Sequence, residues 1–371
     1  MDETHRPRRS NPLYDAHVQS LALCYGTRPQ VVKASVLLEA LRARWSVVAI
    51  DTGQHYDFEL NGLLYQQLGI PRPDHFLGVG SNPPVQQIAQ VMLRTADLLR
   101  ESRPAAVIVV GDTNSTLGCA LAANREDIPI VHVEAGLRAT EPHLPEEANR
   151  RIVDTVAQLL CAPCEAAAAR LRAERAVGTV VVTGDVARDV LMRHLRLAPP
   201  PVEAPPFALV TAHRAALTAD RAALAALLVG LGSIGLPVRL PLHPRTRGAL
   251  ERFGLMGAIP PSVTVESPRG YLEMLAAVRD AAIVVTDSGG VQREAYWLGT
   301  PCITVRAETE WEETVASGAN ALLPAMAAAD ELAALVALQR RRRDTHPWTP
   351  GAYGDGQAAG RVADAVGGLL D

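Results

Sequence analysis

The sequence predicts an α/β protein of two doubly wound domains, each a parallel sheet with helices on both faces. Three observations carry this. Short runs rich in Val, Ile and Leu alternate with longer amphipathic stretches from end to end, the pattern of repeated strand–helix–strand units. The length of 371 residues fits two domains at about 100–200 residues each. The stretch 198–206, APPPVEAPP, is the densest in proline, which blocks both helix and ladder hydrogen bonds, and it reads as a linker.

In the first domain, 21–197, strands are expected at 21–25, 46–51, 105–110, 130–133, 159–162 and 179–183. In the second, 207–355, they are expected at 207–211, 237–241, 263–265, 282–286 and 302–305, with helices between. Residues 1–20 contain Arg but no apolar core, so a mobile extension is expected there and not a secretory signal.

The charge balance is 36 Lys+Arg against 40 Asp+Glu, a net −4, which argues against a broad nucleic-acid surface. No unbroken apolar run is long enough to span a bilayer, and composition excludes a collagen or a small disulfide scaffold. A small-molecule ligand is expected. The five cysteines, an odd number within apolar segments, read as buried reduced thiols of a cytosolic protein. Cys161-Ala-Pro-Cys164 lacks a second pair at metal-ligand spacing, so no metal is expected. Lys33 is the only lysine; where arginine is otherwise used throughout, it marks a site needing a compact ammonium.

Doubly wound sheets bind ligands beyond the carboxyl ends of their strands. Gly26-Thr-Arg28, Gly111-Asp112-Thr113, Glu134-Ala-Gly136, His213-Arg214, His243-Pro244 and Asp287-Ser-Gly-Gly290 all directly follow expected strands. Gly230-Leu-Gly232-Ser-Ile-Gly235 matches a dinucleotide fingerprint, but it follows an expected helix at 221–229 and leads into a strand. That order is the reverse of the one a pyrophosphate needs, so no nicotinamide cofactor is expected.

In Asp287-Ser288-Gly289-Gly290 the glycines admit a phosphate to backbone amides at a helix start, and Glu294, one turn on, suits two ribose hydroxyls. Arg28 and Lys33 flank a second helix start, where an anion between them would offset their repulsion by the dipole. Asp112, Glu134, Glu146 and His213 form the expected acid–base set, because carboxylates converging on one cleft raise each other's proton affinity.

The strings GTRPQVVK, DTGQHYD, GDTNST, HVEAGLR, PEEANR, TAHR, LHPRTR and DSGGVQREA resemble the non-hydrolysing UDP-N-acetylglucosamine 2-epimerases, in order from about residue 21 to the end. GTRPQ, PLHPRTR, GYLEML, ETEW and YGDGQAAGRVAD look closer to the branch acting on UDP-2,3-diacetamido-2,3-dideoxyglucuronic acid. The resemblance implies a GT-B-like fold of two Rossmann-type domains, a C-terminal helix (here 356–370) crossing back to the first domain, a homodimer, UDP held mainly by the second domain, and neither metal nor nicotinamide. It implies acid–base roles for Asp112, Glu134 and Glu146, and a catalytic or diphosphate role for His213. Arg28, Ser288, Gly289 and Gly290 would hold the diphosphate and Glu294 the ribose, with Lys33, Arg138, His243 and Arg306 also on the UDP-sugar. In some bacterial members a Gln-His pair helps bind a second, activating UDP-GlcNAc, and Gln54 and His55 match it.

Two departures stand out. The family's H-R-x-E-N is here His213-Arg214-Ala215-Ala216-Leu217, and Gln30 replaces a common Glu, removing a negative charge beside the expected diphosphate. The implied chemistry is elimination of UDP to a 2-acetamidoglucal followed by re-addition, because no carbonyl adjoins carbon 2 to stabilise a carbanion. A hydrolysing relative, a GT-B glycosyltransferase and an inactive UDP-sugar-binding protein are the alternatives.

Overall fold

The computed structural model describes residues 19–54, 65, 68–139, 144–201 and 205–371. His55, most of the expected extension at 1–20 and residues 202–204 of the expected linker lie outside the described residues.

Two compact units make up the chain. The first runs to Val186, apart from a short piece beginning at Arg138, and is completed by Gln357–Asp371; the second is chiefly Ala187–Gly356. In the first unit, β1 (Ser20–Tyr25), β2 (Ser46–Asp51), β3 (His75–Phe76), β4 (Ala106–Val110), β5 (Ile130–Val133), β6 (Leu159–Ala162) and β7 (Thr179–Val182) form a parallel sheet in the order β3-β2-β1-β4-β5-β6-β7. The order reverses between β1 and β4, whose register pairs Leu21 with Ala106 and Cys24 with Val109. The connections after these two strands leave toward opposite faces, opening the crevice in which ligands of such sheets bind.

The second unit repeats the scheme. Strands β8 (Ala208–Thr211), β9 (Val238–Pro241), β10 (Val263–Glu266), β11 (Ile283–Thr286), β12 (Cys302–Thr304) and β13 (Asn320–Leu322) are ordered β10-β9-β8-β11-β12-β13, with the switch between β8 and β11. Successive strand residues pack on opposite faces: Ala208, Val210, Val285 and Ile303 into one core, Leu209, Val284 and Cys302 into the other. This is why these strands read as unbroken apolar runs.

Every strand expected from the sequence is present, and two more were not foreseen. Strand β3 has two residues, both exposed, and β13 is the short Asn-Ala-Leu; both lie at sheet edges, paired on one side only, where no long apolar run is required. Gly230 and Gly232 end helix Arg221–Gly232, and Gly235 turns with φ 71° into β9, the helix-to-strand order that rules out a dinucleotide loop.

The helix Val186–Leu195 is counted almost wholly with the second unit. The Arg188 guanidinium donates to the carbonyls of Pro350 and Gly354, and the His194 ring meets Tyr271 edge-on at 5.8 Å. The crossing between units therefore precedes the proline-dense stretch. At the other end, helix Ala358–Leu370 packs on the first unit: Val362 and Val366 are fully buried, Arg44 pairs with Asp364 at 2.5 Å, and Gly367 lies against Trp45.

The five cysteines are free and buried, and burial pushes the Cys161 and Cys302 thiols up to about 12, which makes them inert as nucleophiles or ligands. Among the described residues no cluster of His, Cys, Asp and Glu could hold a metal ion, and no helix is long and apolar enough to cross a membrane.

Candidate functional site

In the first unit the site grows from the turns at the β1/β4 switch. After β1 the chain must pass close to the next turns at Gly26: a Cβ there would lie 1.9 Å from Thr52 Oγ1 and 2.3 Å from Ser115 Oγ. Glycine alone fits. Helix α1 (Arg28–Arg42) follows, with Pro29 in its first turn and Arg28 exposed at its start.

Gln30 is buried and fully engaged. Its Oε1 accepts from the Gly26 and Thr27 amides at 2.9 and 3.2 Å, while Nε2 donates to the Val110 carbonyl at 2.6 Å and to the Thr113 and Thr116 hydroxyls at 3.0 and 2.9 Å. It bonds the β1 turn to the β4 turn and uses both donor and acceptor, which a carboxylate could not do. Its place in the fold is thus an internal brace between turns.

One turn on, Lys33 extends to Glu134, with Nζ at 2.7 and 2.6 Å from the two carboxylate oxygens. Glu134 follows β5 with φ 70°, a left-handed backbone that costs a non-glycine residue about 1–2 kcal/mol. Gly111, after β4, has φ 68°, and a Cβ there would stand 3.2 Å from Glu134 Oε2. Next to it, Asp112 receives Arg150 Nε at 2.9 Å and Nη2 at 2.5 Å, and its carbonyl accepts from Asn149 at 2.9 Å. The structure brings Lys33, Asp112 and Glu134 to one edge of one sheet. Each carboxylate there is held by a cation of its own.

Glu146 lies on the first turn of α4 (Pro145–Val156) and is exposed; its neighbour Glu147 is the buried one, bonded to Arg151 at 2.7 Å and Arg150 at 3.4 Å. Arg138 is buried. Gln54 is also buried, and its Oε1 accepts from the amide and hydroxyl of Ser115 at 3.0 and 2.7 Å, so this side chain turns inward to the start of α3 (Asn114–Arg125).

In the second unit the β8/β11 switch is organised by Asp287. The amides of His213 and Arg214 both donate to its Oδ2, at 2.8 and 2.7 Å, and His213 Nδ1 lies 3.3 Å from Oδ1. Two successive amides on one carboxylate fix the His213 loop. The His213 ring lies 5.3 Å from that of His243, which caps helix Pro244–Arg252 by accepting the Arg245 amide at 3.1 Å. Ser288 caps α11 (Gly289–Leu298), its Oγ accepting the Val291 amide at 3.4 Å. Ser288, Gly289 and Gly290 are half-buried at that helix start, leaving its amides and dipole directed outward from the sheet edge.

Glu294, one turn into α11, is hydrogen-bonded by Tyr271; loss of hydration pushes its carboxyl up to about 7, against the opposing effects of Arg293 and of that hydrogen bond. Arg306 pairs with Glu310 at 2.8 Å. Sequence reasoning missed Arg150, Glu147, Tyr271 and Glu310. For the first two a signal existed in PEEANRR, whose acid–base spacings of three and four residues fit one helix face; Tyr271 and Glu310 lie inside the strings GYLEML and ETEW, which pointed to the branch but not to these side chains.

A model of the family described as UDP-N-acetylglucosamine 2-epimerase matches residues 39–367. The UDP-2,3-diacetamido-2,3-dideoxy-D-glucuronate 2-epimerase of Pseudomonas aeruginosa is 39% identical over 350 residues, 91% of this chain and 97% of that protein. The UDP-N-acetylglucosamine 2-epimerase of Methanocaldococcus jannaschii is 32% identical, covering 90% of this chain and 96% of its own. A crystal structure of the M. jannaschii enzyme in complex with UDP-GlcNAc and UDP superposes with a TM-score of 0.84 at 31% identity, over 94% of this chain and 99% of that one.

Proposed function

Because the chain belongs to the UDP-N-acetylglucosamine 2-epimerase family, we propose that it inverts carbon 2 of a UDP-2-acetamido sugar by eliminating and re-adding UDP, without hydrolysis. The observation that carries this is the pair of turns after β4 and β5, beside the first sheet's switch, which present Asp112 and Glu134, each in an ion pair, on neighbouring strands. In the forward step a base takes the proton on carbon 2, its electrons form the carbon 1–carbon 2 double bond, and the carbon 1–oxygen bond breaks to release UDP. In the return step a UDP oxygen attacks carbon 1 while carbon 2 is protonated from the opposite face. Two proton-transfer groups are required, and Asp112 and Glu134 are assigned to them, with the exposed Glu146 as a third carboxylate.

Charge develops on the departing UDP, so its binding groups act as catalysts. Ser288, Gly289 and Gly290 are assigned to the diphosphate, Glu294 to the ribose, and Arg28, Lys33, Arg138, His213, His243 and Arg306 to the remaining polar contacts of the UDP-sugar. Gln54 and His55 would take part in an activating-nucleotide site. The higher identity to the P. aeruginosa enzyme, with the ETEW string, favours the 3-acetamido uronate over UDP-GlcNAc as preferred substrate. The same reading carries a homodimer, for which the exposed Val85 and Leu93 of helix Pro84–Ser102 offer apolar surface, and a cytoplasmic enzyme supplying sugars for cell-surface polysaccharide.

Proton NMR in deuterated water with each UDP-sugar tests this. Deuterium at carbon 2 with the manno epimer accumulating is the expected result, and Asp112→Asn and Glu134→Gln should each lower turnover at least ~100-fold with UDP affinity kept within about threefold. Free N-acetylmannosamine plus UDP would indicate the hydrolysing reaction instead. UDP release only with an added acceptor would indicate a transferase, and near-normal turnover in both variants would end the acid–base assignment.

A further inference from the structure

His132 stands in the middle of β5, within Ile-Val-His-Val, and is fully buried. An ionisable side chain in such a place requires partners for both ring nitrogens. It has them: Nδ1 lies 2.6 Å from Asp154 Oδ1, and Nε2 lies 2.8 Å from the Gly111 carbonyl oxygen. The carbonyl can only accept, so Nε2 carries a proton; with Asp154 ionised Nδ1 carries one as well, which makes the ring an imidazolium facing an aspartate. The other Asp154 oxygen accepts the Gly136 amide at 3.2 Å, and Asp154 itself is buried on α4.

The chain of bonds runs Gly111 carbonyl, His132, Asp154, Gly136 amide. Its ends hold the two turns at the sheet edge: Gly111 directly precedes Asp112, and Gly136 lies two residues beyond Glu134. Its middle is anchored on α4, which also carries Glu146 and the Arg150 that grips Asp112. All three turn positions have left-handed backbone, with φ of 68° at Gly111, 70° at Glu134 and 81° at Gly136. The two glycines adopt this backbone freely, whereas at Glu134 it is strained, and such strain persists only where surrounding contacts over-determine it. Gly136 permits no side chain besides, since a Cβ would come 2.5 Å from the Ala167 carbonyl.

We propose that His132 and Asp154 form a buried ion pair whose task is to position the Asp112 and Glu134 turns for proton transfer, a role that rests on the epimerase reading for its catalytic meaning but not for its geometry. Burial works against charging the ring, and the Asp154 carboxylate and the two hydrogen bonds outweigh it, so the His132 pKa is raised, with the Asp112 charge adding in the same direction. Neither residue touches substrate in this scheme; they are positioning residues.

The test compares wild type with Asp154→Asn and His132→Gln in the full-length protein. Amide hydrogen exchange at 111–113 and 134–138 should accelerate at least tenfold, with β1, β4 and α3 changing less than twofold. The kcat for carbon 2 exchange should fall at least thirtyfold while KM and UDP affinity stay within threefold. Unchanged exchange at both turns, or acceleration spread evenly over the whole unit, overturns the proposal, the latter because it marks a merely structural pair. A wild-type protein that never exchanges carbon 2 ends the epimerase reading, yet the local exchange pattern still decides positioning. Should neither variant fold, nitrogen NMR of wild-type histidines decides: both His132 nitrogens protonated from pH 5 to 9 supports the ion pair, and a neutral tautomer at pH 7 overturns it.

Discussion

Glu294 shows how one side chain's surroundings become a measurable property of the protein. Its carboxyl, short of water and set beside Tyr271, is pushed from 4.5 up to about 7 on folding. The unfolded chain therefore releases this proton first as pH rises. The stability Glu294 contributes is present below about pH 4.5 and is lost as pH climbs through about 7. Glu294→Gln cannot ionise, so its melting temperature relative to wild type should be higher at pH 8.5 than at pH 5, by a few degrees at ~2–4 °C per kcal/mol. Thermal melts at the two pH values check this, and an equal difference at both would refute it. At this scale the sequence reveals residue types but not partners. Lys33 stood out as the single lysine and does meet a carboxylate, whereas Tyr271 is 23 positions from Glu294 and nothing in the intervening chain announces the contact. Glu146 and Glu147 are indistinguishable as letters; only the helix's rotation exposes one and buries the other against Arg150.

At the scale of elements, strands buried on both faces were the most legible, since AVIVV of β4 is fully buried and could hardly be anything else. Edge strands were not legible, because β3 and β13 are defined by a neighbour's hydrogen bonds and not by their own composition. Glycine pattern alone misleads in the same way: Gly230, Gly232 and Gly235 match a nucleotide fingerprint but end a helix, and it is the order of elements that separates them from Gly289 and Gly290. Glycines also differ sharply in what they do for the elements around them. Gly26 joins β1 to α1 with a would-be Cβ 1.9 Å from Thr52 Oγ1, in the space where Thr52 and Ser115 share a 2.6 Å hydrogen bond. Gly235, unlike Gly26, has left-handed backbone, with φ 71°, but nothing lies within 4 Å of its would-be Cβ. Gly26→Ala should therefore destabilise by more than ~2 kcal/mol, through overpacking and a broken buried bond. Gly235→Ala should cost only about 1 kcal/mol of backbone strain. Denaturant titrations of the two variants test the ranking, and equal losses would contradict it.

Over the whole molecule, the order of residues along the chain and the composition of the units do not coincide. The first unit is left unfinished at Val186 and is completed only by Gln357–Asp371, after the second unit has been traversed. Helix Ala358–Leu370 packs on α1 and β6 and buries its own Ala359, Val362, Ala363 and Val366, so without it apolar surface of the first unit faces water, at a cost of roughly 25 cal/mol for each Å² exposed. A carboxylate introduced at Val362 or Val366 would enter a fully buried position, and burying an unpaired carboxylate costs several kcal/mol. Val366→Asp should consequently loosen the first unit and leave the second intact. In hydrogen exchange, amides of β1, β2 and α1 are expected to lose protection while those of β8, β9 and β11 keep theirs. The split also separates two activities: if Ser288–Gly290 and Glu294 hold UDP, calorimetric UDP affinity in Val366→Asp should stay within about threefold of wild type while carbon 2 exchange, assigned to Asp112 and Glu134, falls at least tenfold. Loss of UDP binding in step with turnover would mean that the first unit carries the nucleotide as well, and the division of labour between the two sheets would have to be redrawn.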